Sequence, residues 1–377
     1  QGEQDEVYRR EEALPAMPDV VRIGIIGCGK VSCERHHPAL RRMPEFRVVA
    51  VCDRDPERLA VTAALYRAER ALADYRELVQ MPGIDAVAVL TETASHAEAG
   101  VSALEAGKHL FMEKPLALTL DEADQLVDAR RRAGRVAQVC FNLRWHRLIR
   151  KAKAMIEAGL LGRVKAIRSV YTHDRTGADA PEWHKKLGSG GGVSFNEGVH
   201  HYDLWRYLLG REVQRIGSLS TGSDVYEDET CVTSATLDGG VLASAVMSFL
   251  TGPNSEVEVF GEKGRLLISL YRFDGLQFYS YKTYPGAHMD RLKRGIRALA
   301  ALPGLVADTR NGGGFQATFV GAWSAFGQSI RSGQPPECTL DDGRKALEIA
   351  LAAAESVACG RPIDIRTTAR GGGRLDE

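Results

Sequence analysis

The chain has no apolar run approaching the roughly 20 residues of a membrane-spanning helix, so no membrane partner is expected. It has no excess of charge either. Its 49 Lys+Arg balance 49 Asp+Glu, and a pI near 7.3 leaves no electrostatic footprint for nucleic acid or an anionic membrane. Seven cysteines are present, Cys28, Cys33, Cys52, Cys140, Cys231, Cys338 and Cys359, yet no two form a C-x-x-C pair. Reduced, mostly packed thiols in a reducing compartment, the cytoplasm, are therefore expected. Cys33, His36 and His37 fall in a predicted helix and are not taken as a metal cluster; no metal is expected. There is no internal repeat. No charged n-region and apolar h-region open the chain, although it begins at Gln1 rather than Met, consistent with removal of an earlier segment.

What is present is enough apolar material for two cores: 377 residues, 44% hydrophobic. The first part alternates strand and helix patterns in the βαβ manner of a parallel sheet. Strands are expected at Val21–Ile26, Arg47–Cys52, Asp85–Leu90, His109–Met112 and Arg135–Phe141. Helices are expected at Asp55–Arg70, His96–Ala106 and Asp121–Ala133, the last with an acidic start and a basic end. From Arg163 the grammar changes to β-branched alternating runs, Val164–Tyr171, Cys231–Leu237, Val241–Phe249, Val257–Phe260 and Arg265–Leu270, with Asp238-Gly239-Gly240 as a turn. Helices near Phe315–Arg331 and Asp341–Ala358 close the chain. The fold class is thus α/β: an N-terminal Rossmann dinucleotide-binding domain at 20–142 and a C-terminal α+β domain at 143–366 with a large, mostly antiparallel open sheet. Residues 1–19 form an N-terminal extension and 367–377 a glycine-rich tail, both expected to be mobile.

The turn after the first strand is Gly27-Cys28-Gly29-Lys30-Val31-Ser32. In a Rossmann unit the first glycine makes the tight turn and the second lets the backbone approach a pyrophosphate at a helix N-terminus. The third position, where helix packs on strand, is Ser32. A second strand ending in Asp53 supplies a carboxylate that accepts from both ribose hydroxyls and repels a 2′-phosphate, which favours NAD. Arg54, just beyond it, is a residue that can stack on adenine or pair with a 2′-phosphate, so NADP is not excluded.

These motifs come together with Thr91-Glu92-Thr93-Ala94-Ser95-His96, Ala106-Gly107-Lys108-His109, Glu113-Lys114-Pro115-Leu116-Ala117 and Gly190-Gly191-Gly192…His200-His201-Tyr202-Asp203. In this order and spacing they resemble the Gfo/Idh/MocA family, named for glucose-fructose oxidoreductase, inositol dehydrogenase and a rhizopine-catabolism protein. The resemblance covers roughly residues 20 to 365. It implies an NAD(P)-dependent oxidoreductase acting on a secondary alcohol or ketone of a sugar, cyclitol or nucleotide sugar. It also implies a cis Lys114–Pro115 bond, cofactor contacts from Thr91, His96, Glu113 and Lys114, and burial of the open sheet against another copy in a homodimer or homotetramer.

Hydride transfer from a carbinol needs a polarising cation near the oxygen and a proton acceptor. Lys114, aimed by Pro115, fits the first role. His200, on the first turn of a helix expected over Val199–Leu209, fits the second, with Asp203 at i+3 placed to orient its imidazole. Family members usually carry Asp four residues before the histidine; here Asn196 stands there, able to anchor a substrate hydroxyl but not to hold negative charge. Arg144, Trp145, Trp183, His184 and His201 are further substrate-contact candidates, an indole being suited to stack on a sugar face. Two other readings stay open. One is a cofactor-binding regulator or scaffold of the same fold, against which the presence of both Lys114 and His200 argues. The other is an NAD-dependent sugar-processing enzyme with an internal oxidation-reduction cycle.

Overall fold

The computed structural model describes residues 20–175, 180–282 and 313–365, with scattered helical positions between 292 and 304. The expected extension 1–19 and tail 367–377 lie outside the described residues. Six strands, β1 (Val21–Ile26), β2 (Phe46–Cys52), β3 (Arg70–Leu72), β4 (Ala86–Val89), β5 (His109–Met112) and β6 (Ala137–Val139), form one parallel sheet in the order β3-β2-β1-β4-β5-β6. Every residue of β4 and β5 is buried, as parallel strands covered by helices on both faces require.

The crossover helices follow local signals. Asp55 accepts from the N–H groups of Glu57 and Arg58 and, with Pro56, opens the helix Pro56–Tyr66. That helix stops at Arg67, whose φ of 53° is left-handed, and does not reach Arg70 as expected. Arg70–Leu72 instead pairs with Ala50–Cys52 as an edge strand. Thr119 and Glu122 form a reciprocal capping box at the start of Leu120–Ala133, so this helix begins where its acidic residues suggest.

The second sheet has eight strands: β7 (Val164–Asp174), β8 (Val213–Thr221), β9 (Thr230–Leu237), β10 (Val241–Ser248), β11 (Leu250–Gly261), β12 (Gly264–Ser269), β13 (Leu276–Ser280) and β14 (Ile363–Asp364). Their order is β13-β12-β11-β7-β10-β9-β8-β14. Only β7 and β10 pair in parallel; the other neighbours are antiparallel. One face is covered by the helices Gly198–Leu209 and Leu340–Cys359. The other presents Leu219, Val232, Leu242 and Val246, 74%, 49%, 58% and 40% exposed.

The closing helix Gly313–Ser332 returns to the first sheet. There the Trp323 indole stacks on Phe111 of β5 with ring centres 4.0 Å apart and planes 7° from parallel. The cleft lies at the C-terminal ends of β1, β4 and β5, where ligands of open α/β sheets bind. All seven cysteines are free thiols. Among the described residues no helix is long and apolar enough to cross a membrane.

Candidate active site

The cofactor end begins at Gly27, whose φ of 102° is left-handed and whose Cβ, if present, would lie 2.7 Å from the Leu90 carbonyl. Only glycine fits there. A Cβ on Gly29 would meet no protein atom within 4 Å, so this side of the turn opens into a cradle. Helix begins at Lys30, with Lys30 and Val31 exposed and Ser32 fully buried. Free N–H groups at such a terminus suit a pyrophosphate. Asp53 accepts from the Cys28 N–H at 2.7 Å and from the Asp55 N–H at 2.9 Å, which locks the end of β2 onto the glycine turn. Each oxygen keeps further acceptor capacity for ribose hydroxyls. Arg54 is exposed. The cradle, the helix terminus and the carboxylate together fit a dinucleotide.

At the end of β5 the Lys114–Pro115 bond is cis. Glu113 is buried and doubly held: His36 Nε2 donates to Oε1 at 2.9 Å and the Lys114 N–H to Oε2 at 3.1 Å. Burial alone would raise the Glu113 carboxyl, but the His36 bond and the Lys114 charge outweigh it and keep it below its ordinary value. Trp323 Nε1 donates to His36 Nδ1 at 3.1 Å. An indole N–H only donates, so Nδ1 is an acceptor and Nε2 carries the hydrogen given to Glu113. His36, Glu113 and Cys140 bring ligand-type atoms within 4.8 Å of one another, but both His36 nitrogens are already committed, which leaves it no lone pair for a metal. The trio is a hydrogen-bonded support. His96, expected at the cofactor, is only 1% exposed and bridges the Pro115 carbonyl at 2.7 Å and the Thr91 carbonyl at 3.1 Å. It ties together the two loops that edge the cleft; Thr91 itself remains partly exposed on that edge.

Lys114 Nζ donates to both the backbone carbonyl and the Oδ1 of Asn196, each at 2.9 Å. Asn196 reaches it from a π-helical turn, Val193–Glu197, that leads straight into the helix Gly198–Leu209. Its side-chain N–H points back to the Gly190 carbonyl at 3.4 Å, and the residue is 3% exposed. The expected substrate anchor is thus spent on the lysine: both ends of the amide have protein partners. The glycines before it serve the protein's own packing as well. A Cβ on Gly191 would fall 2.4 Å from the His184 carbonyl, and one on Gly192, at a φ of 82°, 2.7 Å from Asp228.

His200 sits beside Phe141, with ring centres 5.9 Å apart and its Nδ1 buried without a partner. Burial, followed by the Lys114 charge, pushes its pKa down to about 3 against the pull of Glu197. It is therefore a neutral base at ordinary pH. Sequence reasoning missed the group beside it. Glu197, 7% exposed, accepts from Arg175 at 2.9 Å. Burial would raise its carboxyl, but the Lys114 and Arg175 charges outweigh that and hold it well below the usual range. Arg175 also donates to His184 Nε2 at 3.2 Å and to the Tyr171 hydroxyl at 3.3 Å. His201 is buried against the Tyr171 ring, 5.8 Å between centres. The one sequence signal for Glu197 is its place three residues before His200, one helical turn away.

Three expectations are corrected. Asp203 does not orient His200; it pairs with Arg144, at 2.8 Å and 2.5 Å through two guanidinium nitrogens. Arg144 consequently does not face substrate. It is 4% exposed and also binds Asp342 and the Glu337 carbonyl, because a buried guanidinium must be paired on every side. Trp145 is 9% exposed and packed where a Cβ on Gly321 would strike it at 2.7 Å, so it belongs to the contact with the closing helix. Trp183 stays half-buried at the rim, edge-on to His184.

A fold of this kind and a lysine on the cofactor loop narrow the family, and comparison with known proteins decides it. The family model described as "Oxidoreductase family, NAD-binding Rossmann fold" matches residues 21–141, and that of the "GFO/IDH/MocA C-terminal domain" matches 149–267. The chain belongs to the Gfo/Idh/MocA family. The myo-inositol 2-dehydrogenase of Thermotoga maritima is 27% identical over 347 residues, covering 89% of this chain and 96% of that one. The dTDP-3,4-didehydro-2,6-dideoxy-alpha-D-glucose 3-reductase of Saccharopolyspora spinosa is 30% identical over 258 residues, 66% of this chain and 74% of that one. A crystal structure of a probable dehydrogenase from Thermotoga maritima shares 25% identity with a TM-score of 0.74 over 92% of this chain and 99% of its own. This Gfo/Idh/MocA member is an NAD-dependent dehydrogenase or reductase acting on CH–OH groups, with NAD as its cofactor.

Proposed function

We propose that the protein moves a hydride to or from a secondary alcohol or ketone of a sugar, cyclitol or nucleotide-linked sugar. Lys114 polarises the oxygen and His200 is the acid/base. The observation that carries this reading is Lys114 Nζ, fixed by two Asn196 oxygens in the turn that leads into the helix carrying His200. NAD, when bound, supplies the hydride acceptor. In the oxidative direction Lys114 donates a hydrogen bond to the carbinol oxygen as negative charge grows on it, and the hydroxyl proton passes to the unprotonated nitrogen of His200. In the reductive direction the same groups return it. The ammonium has three hydrogens and two are committed to Asn196, which leaves one for the substrate. The names of the inositol and dTDP-sugar relatives support the substrate class.

The test is turnover, followed by nicotinamide absorbance, on a panel of myo-inositol, D-glucose, D-xylose and a dTDP-hexose with NAD or NADH. Lys114→Ala is expected to lose about 1,000-fold in kcat/KM while binding NADH as the wild type does. Wild-type turnover in that variant would remove Lys114 from the chemistry. We propose further that the exposed apolar sheet face carrying Leu219 and Leu242 is buried against a second copy, in a dimer or tetramer. Leu242→Glu is then expected to lower the mass measured by light scattering. Seven unpaired thiols suit a cytoplasmic protein.

A further inference from the structure

Lys114 is gripped at two ends. Its ammonium is held by the two Asn196 oxygens, and its main-chain N–H donates to Glu113 Oε2 at 3.1 Å. The groups that hold Glu113 in turn lie behind the cleft. His36, from the helical turn Ser32–His36, has no exposed surface. Phe111, Phe319 and Trp323 stand edge-on around its ring, with centres 5.7, 5.2 and 5.9 Å away, so a ligand in the cleft cannot touch it. The Trp323 indole, itself stacked on Phe111, donates to Nδ1 and so leaves the ring hydrogen on Nε2, 2.9 Å from Glu113 Oε1. Phe319 and Trp323 belong to the closing helix, so the far end of the chain sets which His36 nitrogen faces Glu113 as a donor. On a third side the Cys140 thiol, kept protonated by burial and then by the Glu113 charge, adds a weak donor.

We propose that His36 is a positioning residue for the hydride-transfer step: by donating to Glu113 it keeps that carboxylate an acceptor for the Lys114 N–H, which fixes the root of the side chain whose tip Asn196 fixes. The inference rests on the role proposed for Lys114. A donor aimed at a developing oxyanion is most effective when its direction is set before reaction, and a misplacement of about 1 Å costs about 100-fold in rate. Held at root and tip, Lys114 has its uncommitted ammonium hydrogen aimed before a substrate arrives. Charge acts in the same sense. Burial would raise the Glu113 carboxyl, and the His36 bond is the largest influence against it, ahead of the Lys114 charge. The titratable groups around this carboxylate are His36, Lys114, Cys140, His96 and His200. Loss of the His36 donor raises Glu113, so it takes up a proton at a higher pH and its charge beside Lys114 disappears.

The experiment uses the full chain, NAD or NADH, and whichever member of the panel above the wild type turns over fastest. His36→Phe keeps a ring among the aromatic side chains but has no hydrogen to give Glu113. It is expected to lower kcat by about 100-fold, with KM and NADH binding by fluorescence titration within about threefold of wild type. On the acid side its kcat/KM should begin to fall at a higher pH than that of the wild type. His36→Gln, which can place an amide N–H near the Nε2 position, should recover about tenfold or more of the loss in kcat. In the double variant His36→Phe/Glu113→Gln the acid-side fall should vanish, because glutamine does not titrate. If His36→Phe fails to fold, Glu113→Gln alone carries the test, with an expected loss of about tenfold in kcat. Wild-type kcat and pH profile in these variants, or a loss confined to melting temperature or NADH affinity, would overturn the inference and leave the proposed function standing. Normal turnover by Lys114→Ala, or no turnover of any probe by the wild type, would overturn both.

Discussion

At the cofactor end of the cleft, Gly27, Asp53 and Thr119 act on backbone groups a few residues or one strand away: Asp53 grips the Cys28 N–H, and Thr119 caps its own helix. At the substrate end the partners lie far apart in sequence. Lys114 meets Asn196, Arg144 meets Asp203 and Asp342, and Trp323 reaches back to His36. The first end is assembled by chain geometry that neighbouring residues dictate. The second is assembled by charge and hydrogen-bond pairing between residues that only the tertiary fold brings together. A residue at the first end can be assigned from its neighbours, whereas one at the second can be assigned only with its partner.

The largest expected effect that tests this contrast is at Arg144. Replacing it with Ala would leave Asp203 buried without its main partner and cost about 3–5 kcal/mol of stability in urea unfolding. A substrate-contact arginine would instead raise KM with unfolding unchanged. Next comes pH. Burial lowers His109, His184 and His201 to about 4, with His200 lower still. Their folded values lie below the unfolded value of about 6.5. The unfolded chain therefore binds more protons between these limits, so the stability is complete above about pH 6.5 and falls as pH drops toward 4. Urea midpoints across that range measure it, and kcat/KM should show no loss from His200 protonation until pH falls below about 4. A smaller effect is expected from Asp53→Asn: about tenfold weaker NADH binding by fluorescence titration, with kcat at saturating cofactor retained. The smallest is Thr119→Ala, about 1 kcal/mol by thermal or urea unfolding with no change in KM.

How far the chain could be read follows the same division. The strand-turn-helix at Val21–Leu40, the acid closing β2 and the lysine after β5 were legible because period, turn and spacing are local properties. The short β3 and the helices Tyr75–Gln80 and Arg147–Glu157 escaped notice, being brief or built from mixed polar residues. Asp203 on the i+3 stripe of His200 was a sound local reading that a longer-range partner overrode. A bidentate guanidinium binds a buried carboxylate more strongly than a neutral imidazole does. Nothing near Glu197 in sequence reveals Arg175, just after the central strand β7, or His184 as its neighbours.

By itself, the sequence determined the parallel sheet, the dinucleotide turn, the place of Lys114 and the family, because each rests on backbone periodicity or on residues fixed along one short stretch of chain. Tertiary structure alone decided which charges face each other. It gave Asn196 to the lysine, Arg144 to Asp203 and Glu197 to Arg175, since in a buried site every polar atom competes for whichever partner packing brings within about 3 Å.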